Sequence, residues 1–200
     1  MGLSSLRLSR LAPFVAMALA PASVHAQQPA PPNAENPNPQ PSQARRLPVF
    51  EIPLGGVQFE TGDTWTQNGQ TFRLYGVQSC IRGTTFTNGA GLKRDCGEAS
   101  IAYLAALIKD TKPKCTALVQ SPPVIFAVCA AHIGQQTLDL GTILVTQGFA
   151  FAATDPSGKP VNFQYAVAEG DAQKNRRGLW AAPDLPHPST ILRNAFGKAK

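Results

Sequence analysis

After its first twenty residues this sequence has no apolar run long enough to span the roughly 30 Å hydrocarbon core of a bilayer. The one early run, Leu11 to Ala20, is short and interrupted by Pro13. There is no CxxC, and no His, Cys or carboxylate spacing of the kind that holds zinc. No serine motif suggests a hydrolase triad, no glycine-rich loop suggests a nucleotide site, and there is no internal repeat. Histidine is scarce as well: His132 falls at an expected strand end and His187 in a Pro-flanked stretch, and both read as inert. These absences set aside membrane-spanning proteins, zinc and thioredoxin-type sites, and nucleotide-loop enzymes.

What is present begins with Arg7 and Arg10 ahead of the short apolar core, then small residues through Ala26. Those are the three parts of a secretory signal cleaved after Ala26, which predicts a periplasmic or secreted protein. A retained anchor is the alternative, and the run is too short for it. No Cys follows the core, so a lipid anchor is not expected. Residues 27–48 are rich in Pro, Gln and Asn, a spacer composition that cannot build a core. Residues 49–183 have the length of one small domain, and 184–200 form a basic, Pro-containing tail. Losing the signal takes the formal charge from +6 to +4. That mild basicity is no nucleic-acid footprint in itself.

All four cysteines, Cys80, Cys96, Cys115 and Cys129, lie in the expected domain. An even count in an exported chain favours disulfides, with three connectivities open. Neighbour pairing, Cys80 with Cys96 and Cys115 with Cys129, is the economical choice. Free buried thiols are the alternative, against which an oxidising compartment argues.

Asn68-Gly69, between Thr64 to Gln67 and Gln70 to Val77, is a strong hairpin signal. In the second run Phe72 and Leu74 alternate with Arg73 and Tyr75, so Arg73 points away from the core face. Helical spacing of Ile101, Leu104, Ala105 and Ile108 predicts a helix over Glu98 to Lys109. Pro113 to Val119 and Val124 to Ala131 read as strands. Thr137 or Asp139 can cap a second helix running to about Gln147, stopped by Gly148. A third helix is expected from about Val161 to Arg177, closed by Gly178. Three strands, a helix and two strands is the order of an OB barrel.

Several stretches resemble the staphylococcal (micrococcal) nuclease family, or thermonuclease family. They are Gly62-Asp63-Thr64, Phe72 to Val77, Cys96-Gly97-Glu98-Ala99, Leu140 to Ala150, and Tyr165 through Glu169 and Ala172 to Gly178-Leu179-Trp180. Taken in order they cover about Gly56 to Trp180, and the cysteine positions resemble those of disulfide-bearing exported members. The resemblance implies an α+β fold, a five-stranded OB-fold β-barrel with three helices. It also implies a calcium-dependent phosphodiesterase acting on DNA and RNA. There two aspartates hold the metal, a glutamate takes a proton from water, and two arginines bind the phosphate.

Carried over position by position, Asp63 falls on the first metal aspartate and Arg73 on the first phosphate arginine. Gln78 stands at the second aspartate, Ile81 at the general base, and 120–124 (QSPPV) carries no arginine. Each missing group costs about 10² to 10⁴ in rate. The expectation is therefore an exported pseudo-nuclease that binds an envelope polymer or a protein. Exopolysaccharide production is the analogy, and nucleic acid is not the favoured partner. Calcium belongs only to the competing reading, an active nuclease with ligands relocated to Glu60 or Asp95. A third reading is a structural envelope adaptor. Asp63 also reads as a turn residue, and Arg73 as the partner of a surface acid. Tyr165 and Glu169 read as scaffold, and Trp180 as a core anchor.

Overall fold

In a computed structural model, residues 48–197 are described. The expected signal (1–26) and nearly all of the spacer lie outside the described residues. The strands are β1 (Val49–Glu51), β2 (Gln58–Thr61), β3 (Thr64–Gln67), β4 (Gln70–Leu74), β5 (Val77–Ser79), β6 (Thr85–Thr87), β7 (Lys93–Asp95), β8 (Lys114–Ser121), β9 (Val124–Ile133), β10 (Gln136–Asp139) and β11 (Ala150–Ala152). The helices are α1 (Cys96–Thr111), α2 (Leu140–Thr146), α3 (Phe163–Lys174) and α4 (Pro188–Gly197), with a 3₁₀ turn at Gly178–Ala181. The class is α+β. Among the described residues no helix is long and apolar enough to cross a membrane.

A seven-stranded sheet runs β1-β8-β9-β4-β3-β2, and β10 pairs with β9 as well. Strand β9 is long enough to serve both neighbours on one edge. Val124 to Ala127 pair with β4 in parallel, and Ala130 to Ile133 take β10 antiparallel. The β3–β4 hairpin turns at Asn68 (φ 50°) and Gly69 (φ 73°), the paired left-handed conformations a two-residue turn needs. Phe72 and Leu74 are buried beneath it, as the alternation required, and Arg73 is half-buried on the other face.

Asp95 and Asp139 cap α1 and α2 by accepting the Glu98 and Thr142 backbone N–H groups. Gly148 then ends the α2 segment at φ +74°. A Cβ there would meet the Arg177 carbonyl oxygen at 2.2 Å, so only glycine fits. Helix α3 is shorter than its sequence suggested. Asn162 caps it, and the chain leaves at Asn175, with Arg176 left-handed at φ 51°. Gly178 therefore opens the 3₁₀ turn instead of closing the helix. Arg177 pairs with Asp171 at 2.8 Å.

Two apolar clusters result. The larger joins Trp65, Phe72 and Leu74 of the sheet to Leu104 and Ile108 of α1 and Leu140 and Leu144 of α2. The smaller holds Cys80, Cys96, Phe151 and Leu179, flanked by Trp180 and Leu185. Both disulfides join neighbours, Cys80 with Cys96 and Cys115 with Cys129. Each closes a short loop, which stabilises by about 3 kcal/mol on the chain-entropy argument. Tyr165 bridges α3 to the start of α2, donating its hydroxyl to Asp139 at 2.7 Å. Burial, and then the Asp139 carboxylate, push its ionisation well above the usual tyrosine range, so it stays a donor.

The element count exceeds the expected five strands and three helices. The additions are short or local. Strands β5 and β11 have three residues each, too few for any periodicity to register. Helix α4 lies in what reads as a Pro-containing tail, and Pro188 is its first residue, where proline is favoured.

Candidate functional site

The β2–β3 turn sits directly on α1. A Cβ at Gly62 would lie 2.4 Å from the Ser100 Cβ, so the chain approaches the helix as closely as backbone permits. This contact presses Asp63 into the interior, where it is 1 % exposed. Its carboxylate there has a complete set of donors. Oδ1 accepts the Thr61 and Thr64 hydroxyls. Oδ2 accepts Arg73 Nε at 3.1 Å and the Ser79 backbone N–H at 3.2 Å, and Arg73 Nη2 lies 2.9 Å from it as an ion-pair contact. Gln78 closes the network, accepting Arg73 Nη2 at 2.9 Å on Oε1 and donating Nε2 to the Ser79 carbonyl.

The structure thus brings Asp63, Arg73 and Gln78 together, but as a closed hydrogen-bonded cluster. A carboxylate offers about four lone-pair positions, and four hydrogen bonds fill them here, with the Arg73 ion pair beside them. Calcium needs six to eight oxygen ligands with their lone pairs facing it. Here an arginine and an amide N–H occupy that side. These residues do not fit a calcium ion. Among the described residues no group of three or more His, Cys, Asp or Glu side chains forms a metal-sized cluster.

The two carboxylates that the active-nuclease expectation would recruit are engaged elsewhere. Glu60 accepts the Thr66 hydroxyl across β2 and β3. Asp95 accepts the Gly83 N–H at 2.7 Å besides capping α1. Burial raises the Asp95 pKa. The N–H groups of Gly83, Glu98 and Gly97, with the charge of Arg82, outweigh that and hold it below the usual carboxylate range. Arg82 itself pairs with Glu98 at 3.1 Å on the surface. Ile81, where the resemblance would place a general base, offers only its backbone carbonyl, which accepts from Thr84.

Register places a row of side chains across the outer face of the sheet: Thr64 on β3, Arg73 on β4, Phe126 on β9 and Val119 on β8. Tyr75 adjoins this row, its ring edge-on to Phe126 at 6.3 Å between centroids. Tyr75 and Val119 are exposed, at 36 % and 48 %. The alternation through Arg73 made this face legible in sequence. Phe126 and Val119 were not legible as its members, because strand pairing is a property of the fold.

Neither a scan against models of protein families nor a search of curated proteins finds a match to this chain.

The remaining expected positions fall as follows. Tyr165 is scaffold, lying so close over Gly141 that a Cβ there would meet its hydroxyl at 2.5 Å. Trp180 packs edge-on to Phe151 at 5.2 Å, and its indole Nε1 is buried without a partner among the described residues. His132 accepts or donates a bond with Thr137 at 2.9 Å across β9 and β10. Glu169 and His187, 18 residues apart, are joined at 2.6 Å, a contact no local sequence signal announces.

Proposed function

We propose that this protein is an exported pseudo-nuclease, a binding module of staphylococcal-nuclease type. Its sheet would be an OB-type barrel, and its ligand an envelope polymer held against the face around Arg73. One observation carries the reading: four hydrogen bonds and the Arg73 ion pair consume the buried Asp63 carboxylate internally, leaving Arg73 tied to Asp63 and Gln78 rather than reaching for phosphate. A phosphodiesterase of this type needs that carboxylate on a metal and that arginine on the substrate. The absence of acids at Gln78 and Ile81 points the same way.

The exposed Tyr75 beside Phe126 supports binding to a polymer of rings, since an aromatic surface stacks on flat apolar faces. The paired cysteines suit an oxidising compartment, and with it an envelope ligand. The test is retention of the oxidised protein on immobilised alginate, an acidic polysaccharide, beside a Tyr75→Ala variant. Loss of one stacking contact predicts binding roughly 3- to 10-fold weaker in the variant. Equal retention of the two proteins, or none by either, would remove this face as the binding surface.

A further inference from the structure

Away from that face, the chain end returns to α3 and builds a second cluster of reactive groups. Glu169 of α3 has one carboxylate oxygen fixed by the Ala152 backbone N–H at 3.3 Å. Its other oxygen lies 2.6 Å from His187 Nε2. On the opposite side of the ring, His187 Nδ1 lies 2.6 Å from the Ser189 hydroxyl and 3.1 Å from the Ser189 backbone N–H. A backbone N–H can only donate, so Nδ1 is the acceptor and the ring proton resides on Nε2, facing the carboxylate. The imidazole is also fixed by packing, with Phe151 edge-on at 5.2 Å and Trp180 at 5.9 Å. Carboxylate, imidazole and hydroxyl are thus in hydrogen-bonded series, with the basic nitrogen towards the hydroxyl.

Ser189 also lines an open cavity of about 570 Å³ between α4 and the segment around Thr154 to Pro156. This is within the range of small-molecule sites. Leu192 and Phe196 give it an apolar wall. Arg193, one helical turn after Ser189 and on the same face of α4, lines it as well.

We infer that Ser189 is a nucleophile activated by His187 and positioned through Glu169, taking acyl groups from small carboxylic esters bound in this cavity. Ser189 Oγ adds to the ester carbonyl carbon while its proton passes to His187 Nδ1. The weaker contact, from the Ser189 N–H, is given up as the ring is protonated. The carbon–oxygen bond to the alcohol then breaks, and the alcohol leaves with that proton. Arg193 supplies the positive charge that the oxyanion requires. Water next adds to the acyl carbon, losing its proton to Nδ1. The bond to Oγ breaks, Ser189 recovers the proton, and a carboxylic acid is released. The paired Glu169 carboxylate stabilises the imidazolium in both halves. This activity is independent of the sheet face and of any nuclease chemistry.

The test uses the full oxidised chain with a fluorophosphonate probe and with p-nitrophenyl acetate, the adduct being located by mass spectrometry. Expected is a single adduct on Ser189 and ester hydrolysis that Ser189→Ala abolishes. The decisive control is His187→Asn. Asparagine is a good helix cap but no base, so this variant keeps α4 while losing labelling rate by about 10²-fold or more. A folded wild type that takes no label, an adduct on another residue, or undiminished labelling in His187→Asn would overturn the inference. Each would leave His187 and Ser189 as a helix cap alone.

Discussion

Arg73→Ala would strand a carboxylate that is almost wholly out of water. Removing one partner of a buried ion pair costs about 3–5 kcal/mol. Arg73 is itself 35 % exposed, so water can enter the space it leaves and screen what remains. The Thr61, Thr64 and Ser79 donors also stay in place. A loss of about 2–3 kcal/mol follows from that discount. Asp63→Asn keeps the shape but removes the charge, and leaves an amide N–H group facing donors. About 2–3 kcal/mol is expected there too, since bonds to charged groups are worth about 1.5–3 each. The two losses share one interaction, so the double variant should fall short of their sum by about 1–2 kcal/mol. Urea unfolding of the four proteins, at constant m, measures this coupling. A coupling near zero would refute the closed-cluster argument, because it would mean the two side chains do not depend on each other in solution.

Two further expectations concern the frame around the site. Asp95→Ala removes the α1 cap and the acceptor for Gly83, and should cost about 1–2 kcal/mol. The Asp95 pKa is held low in the folded state, so its contribution is full above the unfolded value of 3.8 and is lost as pH falls through the folded value. The gap in urea midpoint between wild type and Asp95→Asn should therefore narrow from pH 6 towards the most acid pH at which the protein remains folded. Gly148→Ala combines a φ of +74° with a Cβ 2.2 Å from the Arg177 carbonyl, and should cost about 2 kcal/mol or more. An unchanged thermal midpoint would show that the turn relaxes freely.

Much of this frame was legible because its signals are local. Asn68-Gly69 dictates a two-residue turn, Asp139 reads as a cap ahead of an apolar segment, and Phe72 and Leu74 alternate with Arg73. Cysteine economy led to the same pairing that the fold adopts. What was not legible depends on contacts between distant residues. Strands β5 and β11 exist because Gln78 and Phe151 are brought opposite each other, not because three residues favour extension. Asp63 and Arg73 were each given a bland alternative, a turn residue and the partner of a surface acid. That they satisfy one another follows from β3 and β4 pairing Thr64 with Arg73. His187 read as inert because no spacing around it suggests a metal site or a triad, while its carboxylate partner Glu169 is 18 residues away on α3.

The central proposal, that the Asp63–Arg73 pair holds the fold together and is not part of a phosphodiesterase site, is tested most directly by a cleavage assay. Purified oxidised protein would be incubated with single-stranded DNA, with calcium or with chelator, beside Arg73→Ala. The account predicts no calcium-dependent cleavage from either protein, with wild type folded and both disulfides formed. Calcium-dependent cleavage by wild type that disappears in Arg73→Ala would contradict it, because Arg73 would then be serving a substrate rather than Asp63.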